Sequence, residues 1–401
     1  MKNIFFRYNF LLFLLLLLFS PITILLLNKL FYLKLGLQSS KLSGVVKTIE
    51  KPDFGIKNFT SHTLQKYYEQ YFIDNLPIRA IFIRLNNQIY YSLFKKSYNN
   101  QIIVGENGQL FELAYIYNYC SLDGPPFDKQ FLINWANKIR ILNDYFINKG
   151  RKFIYIITPS KAEYLAEAIP KRFHCNPHGI SPHIKFLEEL LRKNGIPYIS
   201  GPRLMLEATN KYKTSMFPKG GTHWNYLAGG IAANEIIKKI NQLGPPSLNP
   251  LLFDYQLSKT PEGTDSDLLA LLNLFKPNKN YFVPILNFKP TPAINPAPTL
   301  AIIGDSFSHQ YLDAFIKGDS FSKIYFYQYF RYKFEHDKNN ILSVKNVDMA
   351  SESIPTLNTI LLSDIVILEE NTLNIMSSHG IILYDLMDKL VLNNKNNVAA
   401  S

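Results

Sequence analysis

From Phe10 to Leu27 the chain is a nearly unbroken apolar run, interrupted by Ser20, Pro21 and Thr23. It reaches the ~18 residues that a bilayer-spanning helix needs. This predicts a retained transmembrane anchor over residues 10–27. A cleaved signal peptide is the rival reading, with Leu11 to Phe19 as its apolar core, but no small-x-small cleavage site follows promptly. Lys2 and Arg7 precede the run and Lys29 and Lys34 follow it, so charge alone does not set the orientation. No later run matches it in length, and the remainder reads as one soluble body on one side of the membrane.

Residues 28–100 read as a juxtamembrane helical connector, with a short helix around Leu64 to Phe72. A second helix starts at Asn75-Leu76-Pro77, where Asn caps and Pro suits the first turn. Ile78, Ile81, Leu85, Ile89 and Leu93 share one stripe of that helix. Ile102 to Val104 and Gln109 to Leu113 flank Gly105-Glu106-Asn107-Gly108, the pattern of a hairpin. From Phe127 onward short apolar runs alternate with helical periodicity. Leu132, Trp135, Ile139, Leu142 and Phe146 mark a helix stopped at Gly150, and Phe153 to Ile157 is a buried strand. A helix over 184–192, a strand over 196–199, a helix from Asn225 to about Ile240, and strands at 299–303, 324–327 and 365–368 continue the alternation. That alternation predicts an α/β fold with a parallel sheet flanked by helices over residues 101–390. Residues 244–298, richer in Pro and Asn, read as an insertion or long loops, and residues 391–401 as a disordered tail.

Composition changes this picture little. The 401 residues are 47% hydrophobic and 18% charged, enough for a large core. The net charge of +12 comes largely from Lys scattered among Asn, Ile, Tyr and Phe. With no concentrated basic stripe, it does not indicate nucleic acid as a partner. Two cysteines, Cys120 and Cys175, exclude a disulfide framework and a zinc ribbon and leave one possible bridge. No histidine pair has helical metal-ligand spacing beside a carboxylate, so no metal is expected.

The sharpest chemical signal is Leu300-Ala301-Ile302-Ile303-Gly304-Asp305-Ser306-Phe307-Ser308. A serine between a buried strand and a helix lies at the carboxyl edge of the sheet, where first-turn N–H groups of the helix can meet an oxyanion. Ser306 is therefore a candidate nucleophile; the alternative is that Asp305 and Ser306 merely cap the helix. A serine hydroxyl needs a base. His223, in Gly220-Gly221-Thr222-His223-Trp224-Asn225, stands in a loop just before a helix and is the first candidate, against packing at a helix start. His309 is the second, but it projects one turn away from the serine's exposed face.

These two motifs together resemble the SGNH-hydrolase-like domain of the AlgX/AlgJ family of alginate O-acetyltransferases. The amino-terminal apolar run, Ile103-Val104-Gly105-Glu106-Asn107-Gly108-Gln109-Leu110-Phe111 and Thr158-Pro159-Ser160-Lys161-Ala162-Glu163-Tyr164-Leu165 are similar to the same family. The resemblance covers about residues 70–375 of the chain. It implies Ser306 as nucleophile, His223 as base, and transfer of acetyl groups to exopolysaccharide hydroxyls without a bound cofactor. It further implies an inner-membrane location with residues 1–9 cytoplasmic and the soluble domain periplasmic. The implied partners are the polysaccharide, a membrane-bound O-acyltransferase that supplies the acetyl group, and other export-complex subunits.

One position departs from the family pattern. The family has Asp two residues before this histidine, where this chain has Gly221. Loss of the triad carboxylate can lower turnover by about 10⁴. Asp305, Glu369 or Glu370 could replace it, a backbone carbonyl could hold the histidine, or the protein could be a non-catalytic polysaccharide-binding subunit. A carbohydrate acetyl-esterase is the close enzymatic alternative. Lys161, Trp224, Tyr327, Arg331 and Glu370 are candidate substrate contacts, since aromatics stack on sugars and cations grip carboxylates. Tyr329, Glu369 and Asn371 fall at the same expected edge; packing and surface polarity are the ordinary alternatives for all of these.

Overall fold

The strand and helix alternation closes, in a computed structural model of the chain, into a seven-stranded sheet covered on both faces. The structure describes residues 10–13, 15, 19, 42–44, 50–75, 77–120, 128–177, 179–290, 292, 296–337 and 340–389. The expected anchor over 10–27 and the tails 1–9 and 391–401 therefore lie largely or wholly outside the described residues. Among the described residues no helix is long and apolar enough to cross a membrane.

Two compact units are present. The first takes residues 1–100 together with 269–278, and the second the remainder. In the first, helices Ile56–Thr60, Thr63–Asn75 and Pro77–Phe94 follow one another. Segment 269–278, expected to be part of a loop, is held there by side chains of the third helix: Arg84 and Asn87 donate to the Leu274 and Leu272 carbonyls at 3.2 and 2.8 Å.

In the second unit, strands β1 (Ile102–Val104) and β2 (Leu110–Glu112) form the expected hairpin. β3 (Lys152–Thr158), β4 (Tyr198–Ser200), β7 (Thr299–Gly304), β8 (Lys323–Gln328) and β11 (Ile365–Asn371) make a parallel sheet in the order β8-β7-β11-β3-β4. Two antiparallel strands not foreseen, β9 (Tyr332–Asp337) and β10 (Asn340–Asn346), extend it beyond β8. β5 (Phe253–Ser258) and β6 (Val283–Phe288) pair as a separate hairpin within 244–298.

Period-two alternation divides the core. Ile154, Ile156, Leu300, Ile302, Ile365 and Ile367 pack on one face with helices Gly201–Tyr212, Tyr226–Gln242 and His309–Lys317. Phe153, Tyr155, Ile157, Ala301, Val366 and Leu368 pack on the other, against helices Lys129–Asn148 and Pro182–Lys193. The predicted stripe Leu132, Trp135, Ile139, Leu142 and Phe146 is fully buried there. A disulfide joins Cys120, at the end of helix Leu113–Cys120, to Cys175.

The strand register sets the site. Asn371 pairs with Thr158, Gly304 with Gln328, and Leu368 with Ile303, which brings Glu369 beside Gly304 at the carboxyl edge. The polar ends of β11 are buried rather than offered to a ligand. Glu370, expected to touch substrate, instead accepts from Trp135 Nε1 at 2.8 Å, from the Ser377 N–H and hydroxyl at 2.6 Å each, and from the Tyr155 hydroxyl. Burial pushes its carboxyl from the ordinary 4.5 up to about 7.

Replacing Glu370 by Leu is expected to destabilise the fold by about 3 kcal/mol or more, since each buried donor left unpaired costs ~1–3 kcal/mol. Because the folded pKa is raised, the protonated carboxyl favours the fold at acid pH, and that contribution is lost as pH rises through about 7. Urea unfolding should therefore show a steeper loss of stability between about pH 5 and about pH 8 in the native chain than in Glu370→Gln. Equal slopes would contradict this.

Candidate active site

At the end of β7, Gly304 is followed by a turn in which the Asp305 carboxylate accepts the Phe307 N–H at 2.7 Å and the Ser308 N–H donates to the Asp305 carbonyl at 3.2 Å. This turn, Ser306–Ser308, opens the helix His309–Lys317. Glycine is required at 304, because a Cβ there would meet the Ser308 hydroxyl at 2.5 Å and Glu369 Oε2 at 2.6 Å. Glu369 lies under the turn: Oε2 accepts from the Asp305 N–H at 2.7 Å and the Ser308 hydroxyl at 3.1 Å, and Oε1 from Thr158 at 2.5 Å. Burial first, and the neighbouring Asp305 charge second, hold the Glu369 carboxyl well above its ordinary range.

The second segment is brought in by side chains reaching its backbone. The Lys161 ammonium is buried and donates to the carbonyls of Pro218, Lys219 and Gly221 at 2.6, 3.0 and 2.9 Å. Its burial lowers its pKa to about 7. Asn225 caps the helix Tyr226–Gln242 through the Ala228 N–H at 3.0 Å and donates to the Ser215 carbonyl at 2.8 Å. Trp224 is buried and its Nε1 donates to the Phe307 carbonyl at 2.9 Å, tying this loop directly to the serine turn. His223 is thereby set with its ring 4.8 Å from that of Phe307.

His223 Nε2 lies 2.8 Å from the Ser306 hydroxyl, across a sequence gap of 83 positions. Its Nδ1 lies 2.6 Å from Asp267 Oδ2. A carboxylate oxygen accepts, so Nδ1 carries the proton and Nε2 is left to accept from Ser306. The other oxygen of Asp267 accepts the Thr222 N–H at 2.9 Å and the Leu268 N–H at 2.6 Å. Ser306, His223 and Asp267 thus form a continuous nucleophile, base and orienting carboxylate.

Asp267 is the residue that sequence reasoning missed. It comes from segment 263–267, which occupies the space that a side chain at 221 would need: a Cβ on Gly221 would stand 2.1 Å from the Thr264 carbonyl. Absence of Asp at 221 and presence of the 263–267 loop are therefore one substitution of structure. The loop is fastened by Gln310, whose amide donates to the Thr264 hydroxyl at 3.0 Å, and by Tyr281, which donates to the Asp265 carbonyl at 2.8 Å.

Other expectations are corrected. Asp305 is a turn cap and does not contact His223. Glu369 and Glu370 serve as buried acceptors behind the turn. Lys161 and Trp224 hold loops from within and have no face free for a sugar. Tyr327 is buried, with its hydroxyl pushed up to about 12 by burial, and packs on Phe330. His309 meets Gln328 at 3.2 Å and the rings of Phe326 and Phe334. Asn371 donates to the Pro159 carbonyl at 3.1 Å. Arg331 is exposed at the head of β9.

Tyr329 does reach the site. Its hydroxyl accepts the Ser306 N–H at 3.4 Å and lies 3.5 Å from the Ser306 hydroxyl. Burial raises its pKa, keeping the proton on the oxygen. Tyr329 and Phe330 both have positive φ, +53° and +52°, which costs on the order of 1–3 kcal/mol per residue. The Tyr329 N–H on the Gly304 carbonyl at 3.0 Å fixes this strained turn to the strand that bears Ser306. Glu112, at the end of β2, bonds Thr222 and faces the charges of His223 and Asp267, and burial raises its pKa.

No protein-family model and no curated protein matches the chain. Its structure is similar to the O-acetyltransferase domain of Pseudomonas putida AlgJ (TM-score 0.42, 17% identity, covering 67% of this chain and 90% of that one). It is also similar to Pseudomonas aeruginosa AlgX (0.41, 16%, 72% and 67%) and to Bacillus cereus PatB1 (0.42, 12%, 68% and 95%). Likeness at this level carries no conclusion about activity.

Asp267→Asn should retain the fold and lower turnover of an aryl acetate by about 10³- to 10⁴-fold, mainly in kcat, through loss of the working tautomer. Gly221→Asp should fail to rescue it, because the Thr264 carbonyl occupies the required space. Steady-state kinetics of the single and double variants tests both statements; rescue would show that the 263–267 loop yields readily.

Proposed function

We propose that this chain is a membrane-anchored periplasmic O-acetyltransferase acting on exopolysaccharide hydroxyls. The observation that carries the proposal is the unbroken contact from Asp267 through His223 to the Ser306 hydroxyl. Ser306 attacks the acetyl carbonyl of the donor while His223 Nε2 takes its proton. The Ser306 N–H and the Tyr329 hydroxyl, which bond one another beside the Ser306 hydroxyl, become the donors to the oxyanion once the acyl group displaces that contact. Collapse releases the donor's leaving group, which takes the proton from His223, and leaves acetyl-Ser306. A sugar hydroxyl then attacks the ester, gives its proton to His223, and His223 returns it to Ser306.

The motifs that resemble the alginate O-acetyltransferases support the choice of a polysaccharide acceptor and of a membrane-bound O-acyltransferase as the donor's source. A joined Cys120–Cys175 pair suits an oxidising compartment outside the cytoplasm. The non-catalytic reading rested on Gly221, and Asp267 removes its motive. Water in place of the sugar would make the same acyl-enzyme an esterase, so the acceptor decides the outcome.

Purified full-length protein given an aryl acetate and oligosaccharide acceptors should form acetyl-Ser306 and acetylated sugar. Sulfonyl fluoride should label Ser306, as read by peptide mass spectrometry. Ser306→Ala should abolish all three signals; undiminished sugar acetylation by that variant would overturn the proposal.

A further inference from the structure

Helix Pro77–Phe94 is built the opposite way from a helix that covers a water-soluble core. Two of its polar side chains reach inward to segment 269–278, where Arg84 and Asn87 donate to the Leu274 and Leu272 carbonyls, and Gln88 accepts the Lys276 N–H at 3.0 Å at the edge of that contact. Ala80 is buried on this same side. At 100° per residue, Leu85, Ile89, Phe82 and Leu93 fall within one stripe about 80° wide, on the side of the helix away from Arg84 and Asn87. That stripe is turned outward, with exposures of 46%, 44%, 59% and 71%. Tyr90 borders it and is also exposed.

Large apolar side chains aligned on one outward face mark a surface that is covered in use. Charge identifies the cover. Between Asp74 and Glu106 the chain has no acidic residue, while Arg79, Lys95 and Lys96 bracket the stripe. Aromatic side chains beside aliphatic ones, with cations at the borders, are the chemistry of a helix lying in the headgroup region of an anionic bilayer. The apolar run 10–27, some fifty residues upstream, places the chain beside such a surface on the reading given above.

We propose that the outward stripe of helix Pro77–Phe94 docks on the surface of an anionic lipid bilayer. This interaction is separate from the chemistry at Ser306 and stands or falls without it.

The test uses full-length protein in vesicles of phosphatidylcholine and phosphatidylglycerol. Both native cysteines are disulfide-bonded, so Ile89→Cys, Leu93→Cys and, as a control at an exposed site of the second unit, Lys149→Cys each supply a single thiol for a fluorophore. Thermal melts confirm that each variant is folded. Brominated acyl chains should quench labels at 89 and 93, leave the label at 149 bright, and quench less when phosphatidylglycerol is omitted. Bright labels at 89 and 93 in the anionic vesicles would overturn the proposal, as would self-quenching between labelled copies, which would make a second copy the occupant. Equal quenching without phosphatidylglycerol would overturn its electrostatic basis.

Discussion

The His223 imidazole can work only if both of its nitrogens are held at once, one by a carboxylate and one by the serine it serves. No element of regular structure carries this histidine. It stands on a loop, and much of the second unit is arranged to make that loop rigid. The Lys161 ammonium gathers three of the loop's carbonyls, Asn225 secures its exit into a helix, and Trp224 ties it to the turn it must face. A buried cation surrounded by carbonyl oxygens loses water but regains three hydrogen bonds, and burial lowers the pKa of Lys161.

The serine turn is held from the opposite direction by the end of β11. Two successive glutamates enter the sheet edge on opposite faces, as strand alternation demands. Glu369 supports the turn bearing Ser306, and Glu370 fastens the 376–377 turn and Trp135. Neither carboxyl is comfortable as an anion, since burial raises both. Their value lies in the number of lone pairs one side chain can aim at backbone N–H groups that a turn leaves unpaired. The same edge carries the strain at Tyr329 and Phe330, which brings the tyrosine hydroxyl to Ser306.

Ser306 and His223 were legible because each sits at a junction that sequence can mark: a buried strand before a glycine, and a capping Asn before a helix. Asp267 was not legible, being 44 positions from His223 in a Pro- and Asn-rich stretch with little periodic pattern. Gly221 advertised a missing carboxylate without saying which segment fills the space. Lys161, Trp224, Tyr327 and Glu370 were read as substrate contacts because residue type signals chemistry, whereas their role follows from burial, which only the closed sheet reveals. The stripe of helix Pro77–Phe94 was read correctly as a period; Leu85, Ile89 and Leu93 lie on it, but periodicity cannot say whether the apolar or the polar side meets the protein.

Moving the carboxylate from the histidine's own loop to segment 263–267 also changes its electrostatic surroundings. Asp265 and Asp267 stand two positions apart, yet one is buried and the other accepts two backbone N–H groups and the His223 ring. Burial, and then the charge of Asp267, push Asp265 up to about 7. Environment thus separates the two carboxyl groups: burial favours the protonated form of Asp265, while the acceptor role towards His223 falls to Asp267. A carboxylate on the residue-221 position would have had one local segment to position it. Asp267 is fixed instead by its own helix start, by the Thr222 N–H, and by the contacts of Gln310 and Tyr281 to the loop that carries it. Because the base, the carboxylate and the nucleophile come from three distant segments, their alignment is a property of the folded sheet edge and disappears with it.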